Sequence, residues 1–224
     1  MASPDAGYGQ AQPHDSASDF NRMSFLIRQI LNLVSTATLV QVTACTNSGD
    51  VSPVGFVDVQ PLVNLIDGFG NTSEHGVIFH LPYCRLQGGT NAVICDPQVN
   101  DIGIAVFADR DISSVKANKA KSPPGSRRRF DMADGVYLLT VLGAAPTQYV
   151  EFTSDGIKIA DKNGNSIVMN ASGVVITALS GKTITIDSSG VATTGTLENE
   201  GVNVGSTHVH SGVQSGGSNS GPPH

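Results

Sequence analysis

Residues 154–170, SDGIKIADKNGNSIVMN, lie without gaps on residues 171–187, ASGVVITALSGKTITID, and residues 188–195, SSGVATTG, begin a third copy. Gly156, Gly173 and Gly190 fall seventeen residues apart, as do Gly164 and Gly181. Apolar residues keep the same frame: Ile157 with Val174 and Val191, Ile159 with Ile176, Ile167 with Ile184, Met169 with Ile186. Each copy therefore reads as turn, short strand, turn, short strand, with Gly at corners where φ must be positive. Residues two apart, such as Ile157 and Ile159 or Ile167 and Met169, share one face of a strand.

A repeat with one narrow apolar face cannot shield that face alone. Two and a half copies fall short of the roughly three, plus caps, that a single-chain solenoid needs. The economical solution is several chains wound together, and three make the smallest closed prism with an apolar centre. We expect an intertwined trimeric β-helix over residues 151–195. Composition agrees, because residues 153–224 contain no Phe, Trp, Tyr, Cys or Arg and cannot build an ordinary globular core.

Over all 224 residues, 14% are charged, 25 are Gly and none is Trp, a mainly β composition rather than that of a helical bundle or a disordered chain. The net charge of -6 argues against nucleic acid as the main partner. Residues 116–129, KANKAKSPPGSRRR, are a basic exception. They read as a flexible loop between strands, solvated or against an acidic neighbour, and lack the interleaved aromatics of a nucleic-acid surface. The polar first twenty residues have neither the basic start nor the apolar core of a secretory signal. No apolar run reaches the ~18 residues of a membrane span. Synthesis in a cytosol with reduced thiols is expected, and Cys45, Cys84 and Cys95, at no metal-like spacing, read as buried structural residues.

Upstream of the repeat, residues 1–19 read as a flexible arm. Met23, Leu26, Ile27, Ile30, Leu31 and Val34 recur at three and four, an amphipathic helix over 20–35 with Asp19 as its N-cap, packed on its own domain. Residues 36–150 carry short alternating runs at 38–45, 54–63, 76–84, 91–96, 101–109 and 135–142, separated by turn residues. Strands of this number and length without a βαβ rhythm point to a small OB-like barrel. Asp109, Arg110 and Asp111, with Asp131 and Asp134, are the nearest thing to a catalytic cluster, and no His or nucleophile accompanies them. No enzymatic activity is expected.

Residues 196–224 form the expected apex, with STHVHSGVQSGGSNSGPPH at 206–224. His208 and His210, if extended, point to one side of the chain. On a three-fold axis, three chains present six imidazoles to one point, an octahedral set that zinc, preferring four ligands, does not favour. Iron, nickel and cobalt all remain on geometry. Such a site staples chain ends that have no core, so metal binding becomes assembly free energy. His224, after Pro-Pro, reads as exposed, and His14, His75 and His80 have no partner at ligand spacing.

Small barrel, repeat-built β-prism and the terminal THVHSG at 207–212 together resemble the central spike proteins of contractile-tailed phages, the baseplate assembly protein V family. Over 20–212 the resemblance is one of layout, and the His-x-His tip is its specific part. It implies a homotrimer on the tail hub at the baseplate tip of the virion, assembled in the host cytoplasm. Sheath contraction would drive it through the bacterial outer membrane. It also implies one iron ion on the three-fold axis, held by His208 and His210 of each chain. The prism here is short and carries no lysozyme-like insert. The competing expectation is a trimeric receptor-binding tail fibre or tailspike, although such proteins present aromatics to sugars and the distal third here has none.

Overall fold

The computed structural model describes residues 11, 13–67, 69–206, 208, 209, 211, 212 and 216. The chain is mainly β and divides into two units, Met1–Ala144 and Ala145–His224.

In the first unit, a 3-10 turn at Pro13–Ser16 leads into helix α1, Asp19–Leu31. Its N-cap is Ser18, not Asp19: the Ser18 hydroxyl accepts the Asn21 backbone N–H at 3.1 Å. Asp19 becomes the first helical residue, where its charge suits the helix dipole. The helix ends at Leu31, short of the expected 35, because Leu33 and Val34 donate to Ile30 and Leu31 three residues back and tighten the chain into a turn. Nor does it pack on its own domain as expected. None of its residues is buried, and Phe20 and Ile30 are 79% and 64% exposed. Its described polar contacts run to the preceding turn, from Asn21 Nδ2 to the His14 carbonyl at 2.7 Å and from Arg28 to Asp15 at 3.8 Å.

Nine strands follow: β1 Ala37–Cys45, β2 Phe56–Pro61, β3 Leu65–Ile66, β4 Thr72–Ser73, β5 Ile78–Pro82, β6 Leu86–Gly88, β7 Asn91–Val93, β8 Ile102–Phe107 and β9 Gly135–Thr140. Five make one curled antiparallel sheet in the order β5-β2-β1-β8-β9, while β3 with β4 and β6 with β7 are small separate hairpins. Bulges in three of its four pairings bend the sheet. Its edges meet where Tyr83, just past β5, pairs in parallel with Tyr137 of β9, and Cys84 N–H donates to the Tyr137 carbonyl at 2.9 Å. Inside lie Val40, Val42, Val57, Val59, Ile78, Leu81, Tyr83, Ala105 and Tyr137, with Cys45, Phe107 and Met132 packed around them. Gly103 is small for a reason: a Cβ there would enter the Tyr137 ring.

Two expectations change here. The run at 91–96 supplies β7 of a hairpin rather than a sheet strand, since β7 is exposed throughout and has no inward face. Cys84 and Cys95 are exposed and Cys45 is intermediate. Tyr83 and Asp96 take the inward positions, which turns their neighbours Cys84 and Cys95 outward.

The second unit is a meander of six antiparallel strands: β10 Tyr149–Phe152, β11 Gly156–Ala160, β12 Ser166–Asn170, β13 Gly173–Thr177, β14 Thr183–Asp187 and β15 Gly190–Thr193. The sequence repeat is the strand repeat, for β11, β13 and β15 begin at equivalent glycines, and β12 and β14 at equivalent positions ten residues later. Gly173 has φ of 136°, and a Cβ there would strike the Ile186 carbonyl oxygen on the next strand. The turn in the first copy is closed by Asp161, which accepts the backbone N–H of Asn163 and Asn165 at 2.9 and 2.8 Å. Its counterpart at Ala178 closes through backbone bonds, with Leu179 N–H donating to Asn165 Oδ1 of the neighbouring turn at 2.8 Å. A last hairpin, β16 Glu198–Asn199 with β17 Val202–Asn203, precedes the terminal segment. No helix among the described residues is long and apolar enough to cross a membrane.

Candidate metal centre and assembly face

Cross-strand pairing turns the repeat into two rows of side chains across the whole second sheet. One row runs Phe152, Ile157, Met169, Val174, Ile186, Val191, each opposite the next. The other runs Val150, Ile159, Ile167, Ile176, Ile184, Thr193. Residues of the two rows are two apart along each strand and therefore share a face. Thr193 alone breaks its apolar character. The opposite face carries Glu151, Lys158, Val168, Val175, Thr185 and Ala192, more polar and smaller toward the C-terminal strands.

Within the described residues of the second unit the apolar face has no cover. Among the described residues from 145 onward none is buried. Phe152 is 78% exposed, and Ile159, Ile176, Ile184 and Ile186 are also exposed. A sheet with an apolar face folds stably only when another layer lies against it. Exposed apolar patches of this kind are a common feature of interaction surfaces.

At the far end, Val204 N–H donates to the Leu197 carbonyl at 2.8 Å, and Gly205 N–H to Asn203 Oδ1 at 2.9 Å, fixing the chain just before the histidines. The Gly205 carbonyl then receives His208 twice, from its backbone N–H at 3.0 Å and at its ring Nδ1 at 2.6 Å. A carbonyl oxygen only accepts, so the Nδ1 of His208 carries the proton in this contact. That is the second contact characteristic of a metal-ligating histidine. His210 lies outside the described residues. Among the described residues no group of three or more His, Cys, Asp or Glu is placed to hold a metal. His80 is engaged with its own strand neighbours, its backbone N–H donating to Asp58 Oδ1 at 2.9 Å and its ring 5.9 Å from that of Phe56.

Of the acidic residues weighed as a catalytic rival, Asp111 and Asp134 come together around Arg128. Arg128 donates from Nε and Nη2 to Asp134 at 3.2 and 3.1 Å and lies 3.2 Å from Asp111. Asp134 and Asp111 are both buried. The hydroxyls of Ser113 and Ser126, the Ser113 N–H and the Arg128 charge hold the Asp111 carboxyl far below the usual range. Asp131 caps a 3-10 turn through Ala133 N–H at 2.9 Å, and Asp109 pairs with Arg110 at 3.5 Å in solvent. Asp111 and Asp134 brace a loop through Arg128, while Asp109 stays solvated.

A second ionic centre is one the sequence reading missed. Arg85 and Asp96 meet at 2.6 Å, almost wholly enclosed, with the Tyr83 hydroxyl donating to the same Asp96 oxygen at 2.8 Å. Arg85 also donates to the Ser52 carbonyl at 2.6 Å, and Gly49 N–H to Asp96 at 3.1 Å, tying the loop after β1 to the hairpin β6–β7.

No known family model matches the chain, and no curated protein matches it at a significant level.

Proposed function

We propose that the protein is the trimeric central spike of a contractile phage tail or a related injection machine, a needle driven mechanically through the bacterial outer membrane. The observation that carries this reading is the uncovered apolar face of the second sheet, built by the repeat and spanning every strand. Two sister copies are the cheapest cover for it. Wound about one axis, three such segments form an intertwined β-helix with the isoleucine rows inside and no free lateral edge. Stiffness follows from the interlocked strands, and the small Gly, Ser and Thr residues beyond 188 let three backbones converge. The mixed polar outer face resists adhesion to lipid.

The first unit is the mount. Its five-strand order, bulged pairings and Tyr83–Tyr137 bridge support an OB-like Greek-key barrel seated on the tail hub. The uncovered face of α1 is a further surface for that assembly.

At the apex, His208 and His210 of three chains surround one octahedral ion, iron by family resemblance and otherwise nickel or cobalt. The Nδ1 contact to Gly205 supports Nε2 as the His208 ligand atom. The ion supplies no reaction; it locks three ends together. Elemental analysis of untagged protein should give about one metal per three chains, the ratio the six-nitrogen set requires. His208→Ala with His210→Ala should remove the metal and leave a folded trimer. Metal retained by the double variant contradicts the site.

A further inference from the structure

Seven of the thirteen Lys and Arg residues fall within 110–129, against one acidic residue there, Asp111. Residues 117–121 and 123–129 are exposed, as a solvated loop would be, yet the segment is anchored at named points. Helix α2, Ser113–Asn118, opens it, and Ile112 N–H donates to Asp134 Oδ1 at 3.1 Å. Lys116 Nζ reaches the Ala133 carbonyl at 3.4 Å, and Arg128 N–H donates to the Ser126 hydroxyl at 3.2 Å. With Arg128 braced on Asp111 and Asp134, the loop is held from both sides.

Against this braced loop lies an open cavity of about 320 Å³, lined by Arg110, Pro124, Ser126, Arg127, Arg128 and Arg129. The arginines are unequally engaged. Arg128 is spent on its two buried carboxylates, and Arg110 has only the exposed Asp109 at 3.5 Å. Among the described residues, no carboxylate lies in ion-pair range of Arg127 or Arg129, and Arg129 rests over the Phe130 ring at 5.7 Å.

We infer that this cavity receives the carboxylate side chains of an acidic segment on a partner protein, with Arg127 and Arg129 as the recognising forks and Arg128 as the strut that positions them. Three features favour that ligand. The volume admits one or two side chains and not a helix or duplex. Planar guanidinium groups bind carboxylates through paired N–H donors, with directionality that a lysine lacks. No aromatic side chain lines the cavity to stack a nucleobase, and the chain as a whole is negative. The inference stands on the first unit alone and is independent of whether the second unit trimerises.

The test is fluorescence anisotropy of a labelled hexaglutamate peptide titrated with the full-length protein at low salt. Arg127→Gln with Arg129→Gln should weaken binding by about tenfold or more, as expected when charge-assisted hydrogen bonds are lost. Arg127→Lys with Arg129→Lys, which keeps the charge, should lose most of that affinity too. Lys162→Gln with Lys182→Gln, the same charge change on the other unit, should bind as the parent does. Four results overturn the inference: no peptide binding by the parent, unchanged binding by the Gln pair, full affinity in the Lys pair, or displacement of the peptide by a single-stranded oligonucleotide of equal charge at lower concentration.

Discussion

Asp96 is almost wholly buried, yet its carboxyl is held below the usual range. Burial alone would raise it. The hydrogen bonds from Arg85 and Tyr83, with the Gly49 N–H and the Arg85 charge, outweigh that desolvation. Asp111 is depressed in the same sense by Ser113, Ser126 and Arg128. A carboxyl whose folded value lies below its unfolded one adds stability that is complete above about pH 4. That stability is lost as pH falls through the folded value. The first unit should therefore melt at progressively lower temperature below about pH 4. Asp96→Asn should be less stable at neutral pH, because Arg85 keeps its charge without a counterion, and should show a shallower acid decline in circular-dichroism melts. Parallel acid declines in variant and parent would contradict the role given to Asp96. The Arg85–Asp96 centre was not legible in the sequence, and of the other only the acidic residues were, not the arginine that joins them. Arg85 and Asp96 become partners only once the hairpin β6–β7 brings them together, and Asp111 and Asp134 share Arg128 only through the fold of the loop. The His pair was legible as a motif; the Gly205 carbonyl that selects the His208 tautomer was not, because nothing in a Gly-Ser-Thr run announces a turn of that shape.

At the scale of elements, the legible parts were those whose signal is local. Alternation with period two and glycines in a seventeen-residue frame locate β11 to β15 directly, since a pleat and its tight corners are set by neighbouring residues. The start of α1 was legible within a residue, and its partner was not. An apolar stripe says that something covers it, not what. Helix α2 escaped notice because six residues of SSVKAN, without a side-chain N-cap, carry almost no intrinsic signal and depend on the Asp134 brace. The two faces of the second sheet make a sharp prediction. In the proposed trimer Ile176→Asp, in an apolar row, would forfeit about 1.5–3 kcal/mol of burial in each copy and add a buried charge. Sedimentation velocity should then show dissociated chains. Thr185→Asp, on the other face, should sediment as the parent does. Equal behaviour of the two variants would mean that the apolar rows are not the interface.

Taken whole, the chain joins one unit that closes its own core to another whose described residues include none that is buried. Val40, Val57, Leu81 and Tyr137 are buried in the first, and the described residues of the second contain nothing comparable. The proposed spike trimer would cover what the single chain leaves exposed. The most direct measurement is the mass of the untagged protein in solution, by native mass spectrometry and light scattering on one preparation. The account predicts a single species of three chains, each of 23.2 kDa, stable on dilution. A folded single chain of 23.2 kDa would contradict it, because the isoleucine rows would then stand in water with nothing to cover them.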